Sequence, residues 1–406
     1  MGIKREEAKS KALSGSKFKS CEAGSRNRVE RMVHLTIGSE PIHKQTGGHK
    51  QKSRDQESLF CKKWLFAFFV TLASCMAAVI GLVVCVDPFF QYHAPLKNFP
   101  YLIDNQLSQN PGMARNMEYD SILLGSSMTV NFEADWFLEK GLNLLKLPYN
   151  GAYPKDISNI MRQADYSGNE LKEVFLGIDI ASYTVGTEET KYPVPEYLYD
   201  RNPLNDIAYW FNKEVLLDYI LKPPFSGDGA TELSSVYNSQ WWMVNFYGKE
   251  QVLSNYTPPE KTEFTGKTSD YTDRLLENLE ENIRPVITSH PDTRFTIFFP
   301  PPSVLFWYDY VQSGQLEVIM EEFRVCCEWL FQFENVRVFY FANMEEVITD
   351  LDLYADVSHH NQEINRYMAE CFVSGEHEVT EENLEEELAD FRRIIEGYDY
   401  EGLFDE

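Results

Sequence analysis

The stretch that decides the fold is SILLGSSMT, residues 121–129. An apolar run, Ser121–Leu124, leads directly into a turn of small residues, Gly125-Ser126-Ser127. This pattern is typical of a buried parallel strand followed by a helix. Such a turn exposes a serine hydroxyl beside the free N–H groups of a helix start, where a nucleophile needs to be. The motif alone is short, since small residues suit any strand-to-helix turn.

Further apolar runs alternate with helical patterns along the chain. The predicted strands are Ser121–Gly125, Val174–Ile180, Phe295–Phe299 and Val336–Phe341. The predicted helices are Pro154–Ala164, Tyr271–Ser289 and Leu316–Phe333. This alternation predicts a doubly wound α/β domain with a parallel sheet. Ligands of such sheets bind beyond the carboxyl ends of the strands.

A second motif, Asp356-Val357-Ser358-His359, follows the last predicted strand. A histidine is the usual general base near neutral pH, and an aspartate on its other nitrogen fixes its tautomer. Asp356 or Ser358 could equally cap the helical segment Glu363–Phe372, which would leave His359 as a surface residue. Taken with the first motif, the pattern predicts a serine of the Gly125-Ser126-Ser127 turn as nucleophile, His359 as base and Asp356 as its orienting partner.

With these two motifs the chain resembles the SGNH/GDSL hydrolase superfamily over roughly residues 87–375. Within it, the chain is similar to membrane-anchored bacterial cell-surface proteins that serve D-alanyl transfer to teichoic acid and acetyl transfer to polysaccharides. The resemblance implies a flavodoxin-like, three-layer α/β/α sandwich with a parallel sheet. It also implies that Ser127, rather than Ser126, is the nucleophile.

Two other blocks of that family have counterparts here, and one departs from the pattern. Asn150-Gly151 is similar to the second block, which implies that the Gly151 N–H helps to form an oxyanion hole. Gly177-Ile178-Asp179 stands where the family usually has Gly-x-Asn. An asparagine amide donates to an oxyanion, whereas an ionised Asp179 would repel it. Acyl transfer and a degenerate site therefore both stay open.

The segment Trp64–Val86 contains 23 residues and no charge, which as a helix measures about 34 Å and suffices to cross a membrane. Residues 1–63 carry 15 Lys/Arg against 7 Asp/Glu, and residues 87–406 carry 22 against 56. The excess of basic residues predicts a cytoplasmic N-terminus and an extracellular C-terminal domain. A lipoprotein acylated at Cys75, a cleaved signal peptide and a buried core helix are the alternatives.

The predicted organisation has four parts. Residues 1–63 form a disordered basic cytoplasmic segment, in which Met32 is an alternative start, and 64–86 form the transmembrane anchor. Residues 87–375 form the extracytoplasmic domain, with an aromatic insertion at about 183–265. That insertion, which includes Tyr209, Trp210, Trp241 and Trp242, either covers the active face as a lid or packs a small core of its own. Residues 376–406 form an acidic C-terminal helix and tail.

These observations predict a membrane-anchored, extracytoplasmic serine esterase or acyltransferase acting on acyl esters of cell-envelope glycans. The partners expected are the bilayer, an envelope glycan and a membrane-bound O-acyltransferase, with no nucleic acid. No cofactor and no metal are expected, because neither a phosphate-binding motif nor metal-ligand spacing occurs. The alternatives are a catalytically degenerate scaffold that serves an O-acyltransferase and a glycan-binding protein.

Overall fold

The structure, a computed structural model, describes residues 47–227, 229–238 and 247–404. Its centre is a six-stranded sheet in the order β2-β1-β3-β4-β5-β6. The first five strands run parallel, and β6 is antiparallel to β5. The strands are β1 Ser121–Leu124, β2 Leu144–Lys146, β3 Glu173–Gly177, β4 Arg294–Phe299, β5 Val336–Tyr340 and β6 Glu378–Val379.

Strand β1 lies between β2 and β3, with Ile122 in register with Leu145 on one side and Val174 on the other. After β1 the chain forms β2 on one side of it, and then crosses over to form β3 on the other side. This reversal of strand order between β1 and β3 opens a crevice at their carboxyl ends, which is where ligands of open α/β sheets bind. The predicted Ser127 and Asp179 follow these two strands.

Both faces of the sheet are covered, because alternate strand residues enter two separate hydrophobic clusters. Ile122, Val174 and Ile297 belong to the larger cluster, together with the helices Pro154–Ala164 and Leu316–Leu330. The other face carries a smaller, aromatic cluster. It contains Leu123, Phe175, Phe298, Phe339 and, from the helix Gln362–Ser374, Phe372.

The predicted helices are present with shifted ends. Pro154–Ala164 has its predicted bounds, and Leu316–Leu330 ends three residues early. Where Tyr271–Ser289 was expected, Thr268–Asn278 continues through a π-helical turn, Leu279–Ile283, into Arg284–Thr288. The other helices and helical turns are Gln106–Asn116, Ser127–Thr129, Asp135–Leu138, Ile180–Thr184, Glu196–Tyr199, Ile207–Trp210, Val215–Leu221, Pro223–Ser226, Lys249–Asn255, Val304–Gln312, Glu345–Ile348, Leu351–Leu353, Gln362–Ser374, Leu384–Gly397 and Tyr400–Phe404.

A long helix, Gly47–Val86, precedes the domain. Its part Ser58–Val86 is long and apolar enough to cross a membrane, and its side chains are almost entirely exposed. The chain divides into two compact units between Phe69 and Val70. Within the second unit, Val83 and Val86 in the last turn of the helix are buried in the core of the domain.

The C-terminal helix Leu384–Gly397 packs on the domain through its apolar side. The Phe391 ring meets that of Trp307 edge to face, with centroids 5.0 Å apart. In the insertion, Tyr209 is buried and Trp210 packs partly buried against the same core, as aromatic side chains commonly do. Trp241, Trp242 and residues 1–46 of the predicted basic segment lie outside the described residues.

Candidate functional site

Ser127 begins a single turn of 3-10 helix directly after β1. Gly125 allows the turn to lie close to β3. Its φ is +140°, and a Cβ on it would lie 2.6 Å from the Thr129 side chain and 3.0 Å from the Gly177 carbonyl oxygen. A larger residue would therefore push the turn away from β3. From residue 121 to 132, Ser127 is the one residue that is not buried. The turn thus presents a single hydroxyl at the edge of the sheet.

The structure brings Ser127 and His359 together, 232 residues apart in sequence. Ser127 Oγ lies 2.8 Å from His359 Nε2, which is hydrogen-bonding distance. On the other side of the ring, His359 Nδ1 lies 2.7 Å from Asp356 Oδ2. With a proton on Nδ1, the imidazole donates to the carboxylate and accepts the serine proton at Nε2. The three residues named from the sequence therefore form one continuous chain of hydrogen bonds.

Asp356 is fixed by its own loop. Its Oδ1 accepts the backbone N–H groups of Ser358 and His359, both at 2.8 Å. Burial opposes ionisation of this carboxyl, but the hydrogen bonds and the charge of His359 hold its pKa below the ordinary value. The side chain stays 43% exposed. The carboxylate is thus ionised and oriented toward the ring.

The loop that carries His359 is tied to the segment after β4. Ser303 donates to the Val357 carbonyl oxygen from both its N–H, at 2.9 Å, and its hydroxyl, at 2.7 Å. The buried Tyr354 hydroxyl donates to the Pro301 carbonyl at 2.8 Å. These contacts hold the loop over the carboxyl ends of the strands, so that the imidazole faces the Ser127 turn.

Ser127 and His359 open into a narrow cleft of about 210 Å³. Aside from Asp179, Ser182 and Ser358, its remaining lining is mostly apolar, and it is closed by the helix Val304–Gln312. Ser182 donates its hydroxyl to the Asp179 backbone carbonyl at 2.8 Å. The apolar side chains that line the cleft are Met128, Ile178, Ile180, Ala181, Phe299, Pro300, Pro302, Phe306, Trp307 and Phe323.

Asp179, the residue that departs from the family pattern, lines this cleft. Burial raises the pKa of its carboxyl, while a hydrogen bond with Ser126 and the nearby His359 act in the opposite direction. The Ser126 Oγ accepts the Met128 N–H at 3.2 Å, so its hydroxyl proton is directed to another acceptor. A protonated Asp179 would be a hydrogen-bond donor beside Ser127, and an ionised one would oppose negative charge there.

Gly151 is not among the residues that line the cleft of Ser127. It has a φ of +68°, and a Cβ on it would meet the Lys191 side chain at 2.8 Å. Its loop is nevertheless tied to the Ser127 turn, because Tyr149 N–H donates to the Gly125 carbonyl at 2.9 Å. Within the described part of the chain, the N–H groups of Ser127 and Gly151 have no hydrogen-bond acceptor.

Lys146, the last residue of β2, was missed by sequence reasoning. It is fully buried and donates to the Val130 carbonyl at 2.9 Å and to Asn238 Oδ1 at 2.6 Å. Burial lowers its pKa to about 7. Lys146 thus links the segment that follows Ser127 to the insertion. The one signal in the sequence was a lysine that ends an apolar strand.

A second, larger cleft of about 920 Å³ is lined in part by the loop after β2, and it does not include Ser127. Four tyrosines line it, along with Asn150 and Asn238. Its lining combines polar groups with flat aromatic rings. Its tyrosines are Tyr149, Tyr192, Tyr219 and Tyr237.

Among the residues that the structure describes, no three His, Cys, Asp or Glu side chains are grouped to hold a metal ion. No protein-family model and no curated protein matches the chain. A solved structure described as "The structure of a putative platelet activating factor from Streptococcus pneumonia" aligns with a TM-score of 0.34 and 13% identity. The alignment covers 66% of this chain and 88% of that chain, and the likeness is too slight to assign a family.

Proposed function

We propose that this chain is a membrane-anchored, extracytoplasmic serine esterase or acyltransferase of the SGNH/GDSL type, with a flavodoxin-like three-layer fold. The observation that carries the proposal is the hydrogen-bonded chain from Ser127 through His359 to Asp356, with distances of 2.8 and 2.7 Å. A serine needs a base within this reach to act as a nucleophile. The position of Ser127 at the reversal of strand order supports the same conclusion.

The proposed reaction has two steps. Ser127 Oγ attacks the carbonyl carbon of an acyl ester while His359 Nε2 takes its proton, and Asp356 stabilises the imidazolium. The tetrahedral intermediate collapses, the alcohol leaves with the proton from His359, and an acyl-Ser127 remains. Water or a sugar hydroxyl then attacks the acyl carbon, giving its proton to His359. The bond from that carbon to Ser127 Oγ breaks, and the proton passes from His359 to Oγ, so that the free acid or the new ester leaves and Ser127 is restored. The Ser127 N–H is proposed to hold the oxyanion, and Asp179 is proposed to donate to it when its carboxyl is neutral.

The two clefts support a division of labour between acyl group and glycan. The apolar cleft at Ser127 suits an acyl chain, because removing the apolar surfaces of the chain and the lining from water lowers the free energy of binding. The larger cleft with its tyrosines suits a sugar acceptor or the sugar part of an ester. Acyl esters of cell-envelope glycans are therefore the proposed substrates.

The helix Ser58–Val86 supports anchoring in a bilayer. The basic residues before it, ending in Lys62 and Lys63, favour a cytoplasmic N-terminus and an extracellular domain. A membrane-bound O-acyltransferase that supplies the acyl group is a proposed partner at this location. Nucleic acid is not a proposed partner, because the domain itself is strongly acidic.

Asp179 favours a second candidate, a degenerate scaffold that recruits such an acyltransferase without reacting itself. An ionised carboxylate beside Ser127 would raise the energy of any oxyanion formed there. The tyrosine-lined cleft would equally serve a protein that only binds glycans.

The deciding experiment is labelling of the full-length chain by a fluorophosphonate, which reacts with activated serines. Wild type is expected to be labelled, and Ser127→Ala and His359→Ala to be unlabelled. Ser182→Ala is the matched control, since this hydroxyl lines the same cleft but bonds to a backbone carbonyl. Labelling that persists in Ser127→Ala would refute the proposed nucleophile, and a folded wild type without labelling would favour the scaffold.

A further inference from the structure

The insertion exposes a set of large apolar side chains between residues 204 and 225. Leu217, Leu221 and Phe225 follow one another at intervals of four, the spacing of neighbours along one side of a helix. Phe225 is 87% exposed and Leu217 is 55% exposed. We call the whole set the apolar patch: Leu204, Ile207, Phe211, Leu217, Leu221 and Phe225.

The helices that carry this patch pack against the residues that directly follow the long N-terminal helix. Phe89 follows Val86, the last residue of that helix, by three positions. Its ring stacks on Tyr209 at a centroid distance of 5.4 Å and meets Tyr219 edge to face at 4.9 Å. Ile207 and Leu217 are each two residues from these tyrosines. Two residues of the patch therefore lie within one helical turn of the tyrosines that contact Phe89, close to the end of the long helix.

Hydrogen bonds fix this junction. The buried Asp87 carboxylate accepts the Tyr209 hydroxyl at 2.9 Å. The Tyr92 hydroxyl donates to Asp206 at 2.7 Å and accepts the Trp210 indole N–H at 2.8 Å. Because each bond joins the residues after the helix to the patch-bearing helices, the patch keeps a fixed place relative to the helix end.

The helix end itself is held against the domain. Val83 is fully buried, and the Tyr101 hydroxyl donates to the Val86 carbonyl at 2.6 Å. Leu82, just before, is exposed. The domain thus begins where the exposed apolar surface of the helix stops, which is the level expected for the membrane boundary.

The local charge permits approach to a lipid surface. Residues 201–227 contain three Lys/Arg and three Asp/Glu, whereas residues 87–406 together contain 22 and 56. An anionic leaflet repels an acidic surface but not a neutral one. Tyr209, Trp210 and Tyr219 add the aromatic residues that favour the interface between lipid and water.

We propose that the apolar patch rests in the outer leaflet beside the anchor and forms a second membrane contact. Its side chains would enter the boundary of headgroups and acyl chains to a depth of about 5–10 Å. This inference relies on the membrane anchoring in the proposed function. Its consequence is that the domain does not swing freely on the anchor, so that the clefts keep a fixed height above the bilayer.

The test places one fluorophore at a time on the full-length chain in vesicles of phosphatidylcholine and phosphatidylglycerol. Cys21, Cys61, Cys75 and Cys85 are replaced by alanine, and Leu221→Cys or Phe225→Cys is labelled. The matched control is Val373→Cys, a site that is 66% exposed and apolar but lies beside the starts of β3 to β5. A variant that retains Cys75 reports insertion of the helix itself. Brominated lipids then quench fluorophores that enter the acyl region.

Quenching at 221 and 225 severalfold above that at 373 is the expected result. If Cys75 is quenched but positions 221 and 225 are quenched no more than position 373, the proposal for the patch is wrong and the anchor stands. No quenching at Cys75 would refute the anchor and the patch together. Protection of 221 from aqueous iodide without quenching by lipid would mean that protein covers the patch, which also overturns the proposal.

Discussion

At the scale of single residues, the charge of Asp179 decides what the cleft can do. Its carboxyl lies beside Ser127 and has a pKa raised by burial, with the Ser126 hydrogen bond and His359 opposing the shift. Below that pKa the neutral acid donates toward an oxyanion, and above it the carboxylate repels one. We therefore expect kcat of the wild type to fall on the alkaline side.

Asp179→Asn keeps the shape and removes the titration, so it should abolish this alkaline fall. One oxyanion-hole donor contributes about 10²–10³-fold in kcat, and the variant should gain up to about 10²-fold at high pH. The measurement is kcat against pH with a small acyl ester. Asp352→Asn, which removes an exposed carboxylate outside the cleft, is the control. Identical profiles for wild type and Asp179→Asn would exclude Asp179 from the oxyanion site.

His360, next to the proposed base, predicts loss of stability in acid. It is fully buried, its Nδ1 lies 3.1 Å from the Asn361 carbonyl, and its pKa is lowered to about 4 because burial disfavours the charged ring. The unfolded state takes up this proton near pH 6.5 and the folded state near pH 4. The free energy of unfolding therefore falls as pH drops through that window, by about 3 kcal/mol at most.

His360→Gln removes this titration and should show a shallower fall between pH 6.5 and 4. Urea unfolding of both full-length proteins in non-ionic detergent measures the difference. Parallel curves for the two proteins would show that His360 is not buried and neutral in the folded state.

Two local motifs predicted Asp356, His359 and a serine of the Ser126-Ser127 pair, because each motif needs only its own loop to be recognisable, and the family resemblance selected Ser127. Asp179 follows β3, a strand neighbouring β1, and lines the cleft of Ser127. Gly151 does not line that cleft, and its position depends on the path of a loop beside Lys191, which a local motif cannot specify. Lys146 was missed because its role depends on Asn238, 92 residues away.

At the scale of elements, the helix Val304–Gln312 closes the apolar cleft and predicts a preference among acyl groups. Phe306 and Trp307 from this helix line the cleft, and Ala181 lines it from the segment after β3. Each methylene group of an acyl chain that is buried there gains about 0.8 kcal/mol, or about fourfold in kcat/KM. Butanoyl and hexanoyl esters should therefore react faster than acetyl esters until the cleft is full.

A series of p-nitrophenyl esters of increasing chain length measures this preference. Ala181→Leu narrows the cleft without touching Ser127 or His359, and it should shift the optimum to shorter chains. Highest activity on the acetyl ester in both proteins would mean that the acyl group lies outside this cleft.

The four predicted strands are all present, because each is a run of apolar residues long enough to stand out from its surroundings. Strands β2 and β6 have three and two residues, too short for a periodic pattern to identify. The predicted strand Val174–Ile180 stops instead at Gly177, where the chain turns into the helical segment Ile180–Thr184. The π-helical turn inside Thr268–Thr288 gave no signal in composition.

At the scale of the whole molecule, Asp87 joins the long N-terminal helix to the domain. Its backbone has a φ of +47°, and its buried carboxylate accepts the N–H groups of Gln91, Tyr92 and His93 as well as the Tyr209 hydroxyl. This side chain therefore folds the residues after the helix back onto the insertion. The backbone at Phe89 also lies close to the helix Gln106–Asn116, since a Cβ on Gly112 would lie 1.9 Å from the Phe89 carbonyl oxygen.

Asp87→Ala should loosen this joint and leave the proposed site intact. One buried donor, the Tyr209 hydroxyl, and three partly buried N–H groups would lose their acceptor. Each donor that stays buried and unsatisfied costs about 1–3 kcal/mol, so the segment that follows should open to protease. Proteinase K added to the full-length chain in vesicles should release the domain from Asp87→Ala much faster than from wild type, while fluorophosphonate labelling persists. Asp104→Ala is the matched control, because Asp104 also accepts a tyrosine hydroxyl, that of Tyr219, but at the exposed surface. Equal release from Asp87→Ala and Asp104→Ala would mean that the joint does not depend on the buried carboxylate.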